Sequence, residues 1–238
     1  MKGICETLTI SGERALWYAA PGFEGHMPLF VMHCGGEFSE QIGALATLLE
    51  RAGKKGEIGP FALLAPLQVD WDRDYTPWSA ECMPHRLFAG GADAFLSRLE
   101  GTLLPAVSAE KGLTGPVYAL GYSLGGLAAL YGLLRNPERY AGAASVSGAL
   151  WYPGFEERYM ESVPRVPVYC SLGRAEAKVR AAAMRGNAEI TQRAAQAAGG
   201  FFEWNNGNHF FEIPERIAKA VIWLLSRATG RDEDGRRP

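Results

Sequence analysis

Cysteine is scarce in this chain. Cys5, Cys34, Cys82 and Cys170 are scattered through 238 residues and no two form a CxxC pair. That spacing excludes a disulfide framework and a zinc ribbon. Long apolar runs are missing too. No segment approaches the roughly 18 consecutive apolar residues of a membrane span, and the opening MKGICETLTISGERALWY has no signal-type hydrophobic stretch. Charge of one sign is not in excess: 24 Lys and Arg against 26 Asp and Glu give a net charge of -2. Nothing in that balance draws the chain to nucleic acid or to an anionic membrane. Asp70, Asp72 and Asp74 alternate, but they lack the glycine and terminal glutamate of a calcium loop, so no metal is expected. Repeats and linkers are absent as well. The expectation is a soluble cytoplasmic protein with one domain over residues 1–229 and a disordered charged tail, GRDEDGRRP, over 230–238. Self-association as a homo-oligomer is left open.

What the chain has is 47% hydrophobic residues arranged in short runs, enough for one sizeable core. CETLTI and RALWYAA flank Ser11-Gly12 and read as an antiparallel hairpin. PLFVMHC (28–34), FALLAPL (61–67), PVYALGY (116–122), YAGAASVSG (140–148), VPVYCSL (166–172) and FFEW (201–204) read as strands. Most of them are continuously apolar, the pattern of a strand covered on both faces. Amphipathic helical stretches lie between them at 39–52, 92–109, 124–135 and 183–198, and PERIAKAVIWLLSRA (214–228) closes the series. Such alternation predicts an α/β fold, a mostly parallel central sheet with helices on both faces and an N-terminal antiparallel hairpin.

Gly121-Tyr122-Ser123-Leu124-Gly125 fits G-x-S-x-G. The string gains weight from its setting, a strand running in (PVYAL) and a helix running out (LGGLAALYGLLR). A serine on that strained turn holds its hydroxyl over the carboxyl edge of the sheet, at a helix N-terminus that favours developing negative charge. A serine hydroxyl needs a base. In this fold the base follows the last strand, and His209 is the only one of four histidines beyond Ser123. No aspartate lies between the two, so the orienting acid is a glutamate or the site is a Ser/His dyad. Glu176, a short turn after VPVYCSL, occupies the usual station. Glu203, Glu156, Glu157 and Glu161 are the other candidates weighed.

For the oxyanion, the N–H of Leu124 is one expected donor, and Gly35 or Gly36 in His33-Cys34-Gly35-Gly36-Glu37 the other. His33 reads as a structural hydrogen-bonding residue. The long loop of residues 68–95 carries Trp71, Tyr75 and Trp78, and Trp151 and Tyr152 follow a strand at the same sheet edge. All five are candidates for lining a substrate pocket, weighed evenly against simple packing.

HCGGEF, VDWDRDYTPW, FAGGADAFL, GYSLGG, SGALWYPGF, LGRAEAKVR and EWNNGNHFFEIPERIAKAVIWL together resemble the putative-esterase family of α/β-hydrolases, which includes esterase D and enterochelin-type siderophore esterases. The resemblance runs over roughly residues 5–228. It implies Ser123 as nucleophile, His209 as base, and cleavage of a small-molecule carboxylic ester, of bulky aromatic or siderophore type, without a cofactor. S-formylglutathione hydrolases and mycolyltransferases are related, so thioester hydrolysis and acyl transfer stay open. A catalytically silent ligand-binding protein is the alternative from another class.

Overall fold

The computed structural model describes residues 1–35, 41–83, 86–178, 184 and 186–228. The tail at 230–238 lies outside the described residues. Ten strands and eight α-helices are found there, in the order β1 (Ile4–Ile10), β2 (Glu13–Ala19), β3 (Leu29–His33), α1 (Ile42–Lys54), β4 (Ala62–Pro66), α2 (Trp71–Asp74), β5 (Ala80–Met83), β6 (Arg86–Phe88), α3 (Ala92–Arg98), α4 (Leu104–Lys111), β7 (Val117–Tyr122), α5 (Leu124–Arg135), β8 (Gly142–Val146), α6 (Phe155–Glu161), β9 (Val168–Gly173), α7 (Asn187–Ala197), β10 (Phe201–Asn205) and α8 (Ile213–Ala228).

Eight strands form one sheet in the order β1-β2-β4-β3-β7-β8-β9-β10. The hairpin pairs antiparallel, as does β2 with β4, and the other neighbours are parallel. The apolar runs follow from this geometry, because alternate residues of each central strand face opposite helical layers and both must be apolar. Leu29, Val31, Leu64 and Ala119 join the core under α3, α5 and α7. Phe30, Met32, Leu63, Tyr118 and Leu120 pack on the other face with Leu45, Leu49, Val221 and Leu224 of α1 and α8. Each large apolar side chain so buried contributes about 1.5–3 kcal/mol. This is the mostly parallel sheet between helical layers that the strand pattern predicts, and the architecture that the resemblance to α/β-hydrolases implies.

Two differences have local causes. The stretch read as one helix over 92–109 is broken by a π-helical turn, Leu99–Leu103, between α3 and α4. Pro105, in the first turn of α4, has no N–H for the carbonyl of residue 101, and its ring crowds that carbonyl, so the ladder widens there. The loop of residues 68–95 is not irregular throughout; it holds α2 and the two-stranded ribbon β5–β6.

From β3 the chain moves outward to β4, then returns to place β7 on the opposite side of β3. The carboxyl ends of β3 and β7 therefore flank a switch point, the crevice where open α/β sheets bind ligands. His33 pairs with Gly121 there, two residues before Ser123.

Candidate active site

Ser123 sits between β7 and α5 with φ 59° and ψ -125°, a left-handed conformation that a serine adopts only when its surroundings enforce it. The enforcement is visible. Its N–H donates to the Val146 carbonyl at 3.1 Å, and its own carbonyl accepts from Gly126 at 3.0 Å and Ala149 at 3.1 Å. The glycines at 121 and 125 are steric necessities. A Cβ on Gly121 would fall on the Gly125 carbonyl, and one on Gly125 would fall on the His33 carbonyl. Gly125→Ala is therefore expected to cost at least about 3 kcal/mol, because rigid backbone cannot yield to the added methyl. A urea melt tests this, and a wild-type midpoint would refute the steric argument.

His209 lies on the loop between β10 and α8. Its Nε2 is 3.0 Å from Ser123 Oγ and its Nδ1 is 2.7 Å from Glu176 Oε2. Tyr122, one residue before the serine, donates its hydroxyl to the His209 carbonyl at 2.6 Å and lies beneath the imidazole at 4.9 Å between ring centres. Burial pushes the Tyr122 phenol well above its ordinary value, so it stays a donor.

Glu176 opens the short 3₁₀ turn Glu176–Lys178 after β9. Its Oε1 accepts from the Gly173 N–H at 2.6 Å, Ser147 Oγ at 2.8 Å and Arg216 Nη1 at 3.1 Å. Burial raises its pKa, but the hydrogen bonds from His209, Gly173 and Ser147 outweigh that and hold it below the ordinary carboxylate value. Two of the other glutamates weighed have partners of their own: Glu203 accepts from Tyr169 at 2.6 Å and pairs with Lys219 at 2.5 Å, and Glu156 pairs with Arg193 at 2.6 Å.

Sequence reasoning missed Ser147 and Arg216. The legible signal was an arginine among the apolar positions of an amphipathic helix: Arg216 is 1% exposed beside Ile217 and Ala220. A charge on such a stripe has to have buried partners.

Leu124 begins α5, and the first N–H groups of a helix lack intrahelical acceptors. Gly35 has φ +65° and lies against the Trp71 ring. Its N–H is already donated to Tyr75 Oη at 3.1 Å, which removes it as a free oxyanion donor. Gly36 lies outside the described residues. The hydrogen-bonding role expected of His33 finds no partner among the described residues. The ring is fully buried between Tyr75 and Phe95, neither nitrogen has a partner among the described residues, and burial pushes its pKa down to about 4. Burial thus favours its neutral form.

A cavity of about 1030 Å³ opens over Ser123 and His209, walled by Val69, Trp71, Phe88 and Trp151 with Phe210 at its rim. It is at the upper end of the range for small-molecule sites. The five candidate pocket aromatics divide here. Trp71 and Trp151 line the cavity; Tyr75, Trp78 and Tyr152 do not. Tyr75 is wholly buried, holding Gly35. Trp78 donates Nε1 to the Pro153 carbonyl at 2.9 Å under the Arg158 guanidinium, and the Tyr152 hydroxyl donates to the Trp78 carbonyl. These three hold the loop through those contacts. The acidic cluster has partners within the loop, although Asp70 and Asp72 also line the cavity. Asp70 caps α2 by accepting from Arg73 N at 3.2 Å, Asp74 pairs with Arg73 at 2.8 Å, and Asp72 pairs with Arg86 at 2.6 Å. Among the described residues no group of three or more His, Cys, Asp or Glu could hold a metal ion, and no helix is long and apolar enough to cross a membrane.

The comparisons with known proteins agree with this fold. The IroE-like serine hydrolase of Shewanella oneidensis superposes with a TM-score of 0.75 at 16% identity, covering 94% of this chain and 80% of that one. The siderophore hydrolase EstA of Aspergillus nidulans gives 0.74 at 15% identity over 95% of each chain. The enterobactin esterase FES of Shigella flexneri, in the presence of enterobactin, gives 0.72 at 18% identity over 96% of this chain and 60% of its own. At these identities they establish the fold. "Uncharacterized protein YbbA" of Bacillus subtilis (strain 168) is 25% identical over 166 residues, which are 66% of this chain and 65% of the relative. The match thus spans just under two thirds of that relative's length. The family model described as "Putative esterase" matches residues 23–213, most of the described chain and every residue of the Ser123–His209–Glu176 line. The chain belongs to the putative-esterase family of α/β-hydrolases.

Proposed function

We propose that this protein hydrolyses carboxylic esters through an acyl-enzyme on Ser123. The observation that carries this reading is the hydrogen-bonded line from Ser123 Oγ through His209 to Glu176 at the floor of the large cavity. His209 Nε2 takes the serine proton as Oγ attacks the ester carbonyl, and Glu176 holds the imidazole and stabilises its charged form. The tetrahedral intermediate collapses when the same proton passes to the leaving alcohol. Water, deprotonated by His209, then attacks the acyl carbon and releases the acid and the free serine. The Leu124 N–H, at the positive end of the α5 dipole, stabilises the oxyanion. The step needs no cofactor. Labelling of the pure protein by a fluorophosphonate, blocked by prior incubation with an ester substrate, is the direct test. A protein that is neither labelled nor active on aryl, alkyl, thio and catecholate esters overturns the reading.

The aromatic walls favour a bulky or aromatic ester, and the size of the cavity leaves room for siderophore-type catecholate esters. Trp71→Ala and Trp151→Ala are each expected to lower kcat/KM on bulky aryl esters by roughly 1–3 kcal/mol of transition-state binding and to spare acetate esters. Trp78→Ala, outside the cavity, is expected to lower Tm while leaving the ratio of bulky to small substrate unchanged. Equal losses on both substrate sizes for Trp71 and Trp151 would make those rings structural too.

A further inference from the structure

Arg216 is the largest of the fully buried side chains, and its partners all belong to the segments that carry the site. Nη1 donates to Ser147 Oγ at 3.0 Å and to Glu176 Oε1 at 3.1 Å. Nη2 donates to the carbonyls of Asn206 at 2.5 Å and Asn208 at 2.8 Å, one residue before His209. Backbone bonds reinforce the same junction, from Arg174 N–H to the Asn205 carbonyl and from Ala175 N–H to the Gly207 carbonyl.

Ser147, directly after β8, completes the arrangement. It is 2% exposed and has φ +49°, and its hydroxyl accepts from Arg216 while donating to Glu176 Oε1 at 2.8 Å. A serine rarely adopts that backbone conformation. Of the four non-glycine residues with positive φ among the described residues, Ser123 and Ser147 end adjacent strands at the site, and Glu212 starts the helix that presents Arg216. Strain is concentrated where the hydroxyl and guanidinium must be aimed.

We propose that Ser147 and Arg216 are positioning residues for the reaction: by fixing Glu176 Oε1 from two sides they turn Oε2 onto His209 Nδ1, while Arg216 anchors the histidine loop. This rests on the proposed role of Glu176. Buried structural arginines commonly pair with one carboxylate; this one joins the acid, its second donor and the base's loop at a single point. Among the described residues, the charged and titratable groups facing Glu176 are His209, Arg216 and the Tyr122 phenol.

The test uses two substitutions of opposite backbone effect. Ser147→Ala keeps the strain at φ +49° and Ser147→Gly relieves it, yet both delete the hydroxyl. With active sites counted by fluorophosphonate titration, both are expected to lower kcat per active site by roughly 10–100-fold with KM nearly unchanged, the scale of losing an outer partner of a reacting group. Glu176 then protonates at higher pH, so the acid limb of the kcat profile moves to higher pH in both. Arg216→Lys, keeping a charge but not the four contacts, is expected to lower kcat per active site on the same scale. In a Glu176→Gln background Ser147→Ala should cost less than about twofold, because the group it acts through is gone. An impaired Glu176→Gln beside Ser147 variants with normal kcat per site and a normal acid limb overturns this proposal alone. Losses that multiply independently in the double variant do the same. An unimpaired Glu176→Gln overturns the role of Glu176, and with it this one.

Discussion

Ser123→Ala gives a folded protein whose ester turnover falls by about 10⁶, to background, because the covalent path loses its nucleophile. The fold is expected to survive for reasons visible in the turn. Alanine keeps the Cβ, so the strain at φ 59° is unchanged, and the bonds that hold residue 123 are made by its backbone to Val146, Gly126 and Ala149. The serine side chain makes no cap bond to α5. A urea midpoint close to wild type, with no fluorophosphonate label, is the expected pair of measurements. Turnover above a small fraction of wild type in the purified variant would require another nucleophile.

The fold was legible because the central sheet is covered on both faces, which leaves short uninterrupted apolar runs that no other element type explains well. Phe30 and Val31 show the principle: adjacent in sequence, they serve opposite helical layers. The serine and histidine were legible for a topological reason. A hydroxyl presented at the switch point needs its base on the loop after the final strand, and only one histidine is available there. The supporting residues were much less visible. Ser147 looks like any small residue ending a strand, and its role depends on a positive φ that sequence does not display. Arg216 left a trace as a charge on an apolar helix face, but its partners come from residues 147, 176, 206 and 208. Their convergence is a property of the folded chain.

The aromatic residues show where reading by composition stops. Trp71 and Trp78 are seven residues apart in one loop, yet one faces the cavity and the other binds the Pro153 carbonyl. The difference comes from α2 and the β5–β6 ribbon, which turn the loop back on itself. Composition placed both rings near the sheet edge and could not orient either. Gly35 is similar: a glycine after β3 suggests close approach to a ligand, but its N–H is taken by Tyr75, forty residues away.

Glu176→Gln is expected to lower kcat by roughly 10³–10⁴ with KM largely unchanged. The size of the effect follows from how the carboxylate is held. Three donors converge on Oε1, from Gly173, Ser147 and Arg216. In a glutamine the carbonyl oxygen must take that position, since an NH₂ group facing three donors leaves all of them without an acceptor. The amide NH₂ is thereby turned onto His209 Nδ1, which must become the acceptor. The imidazole proton is then driven to Nε2, the nitrogen that faces Ser123, and the ring can no longer take the serine proton. Loss of the negative charge also removes stabilisation of the imidazolium. Stability should fall as well, because Arg216 keeps its carbonyl partners but loses its buried counter-charge, so rates have to be taken per titrated active site. A dyad gives a different result, a loss below about tenfold, since a solvent or backbone acceptor would orient the ring instead. Glu203→Gln and Glu157→Gln serve as controls. Glu203 holds Tyr169 and Lys219, so its variant should lose stability and keep its rate per site. If either control loses its rate while Glu176→Gln does not, the acid is elsewhere and the serine hydrolase reading stands without it.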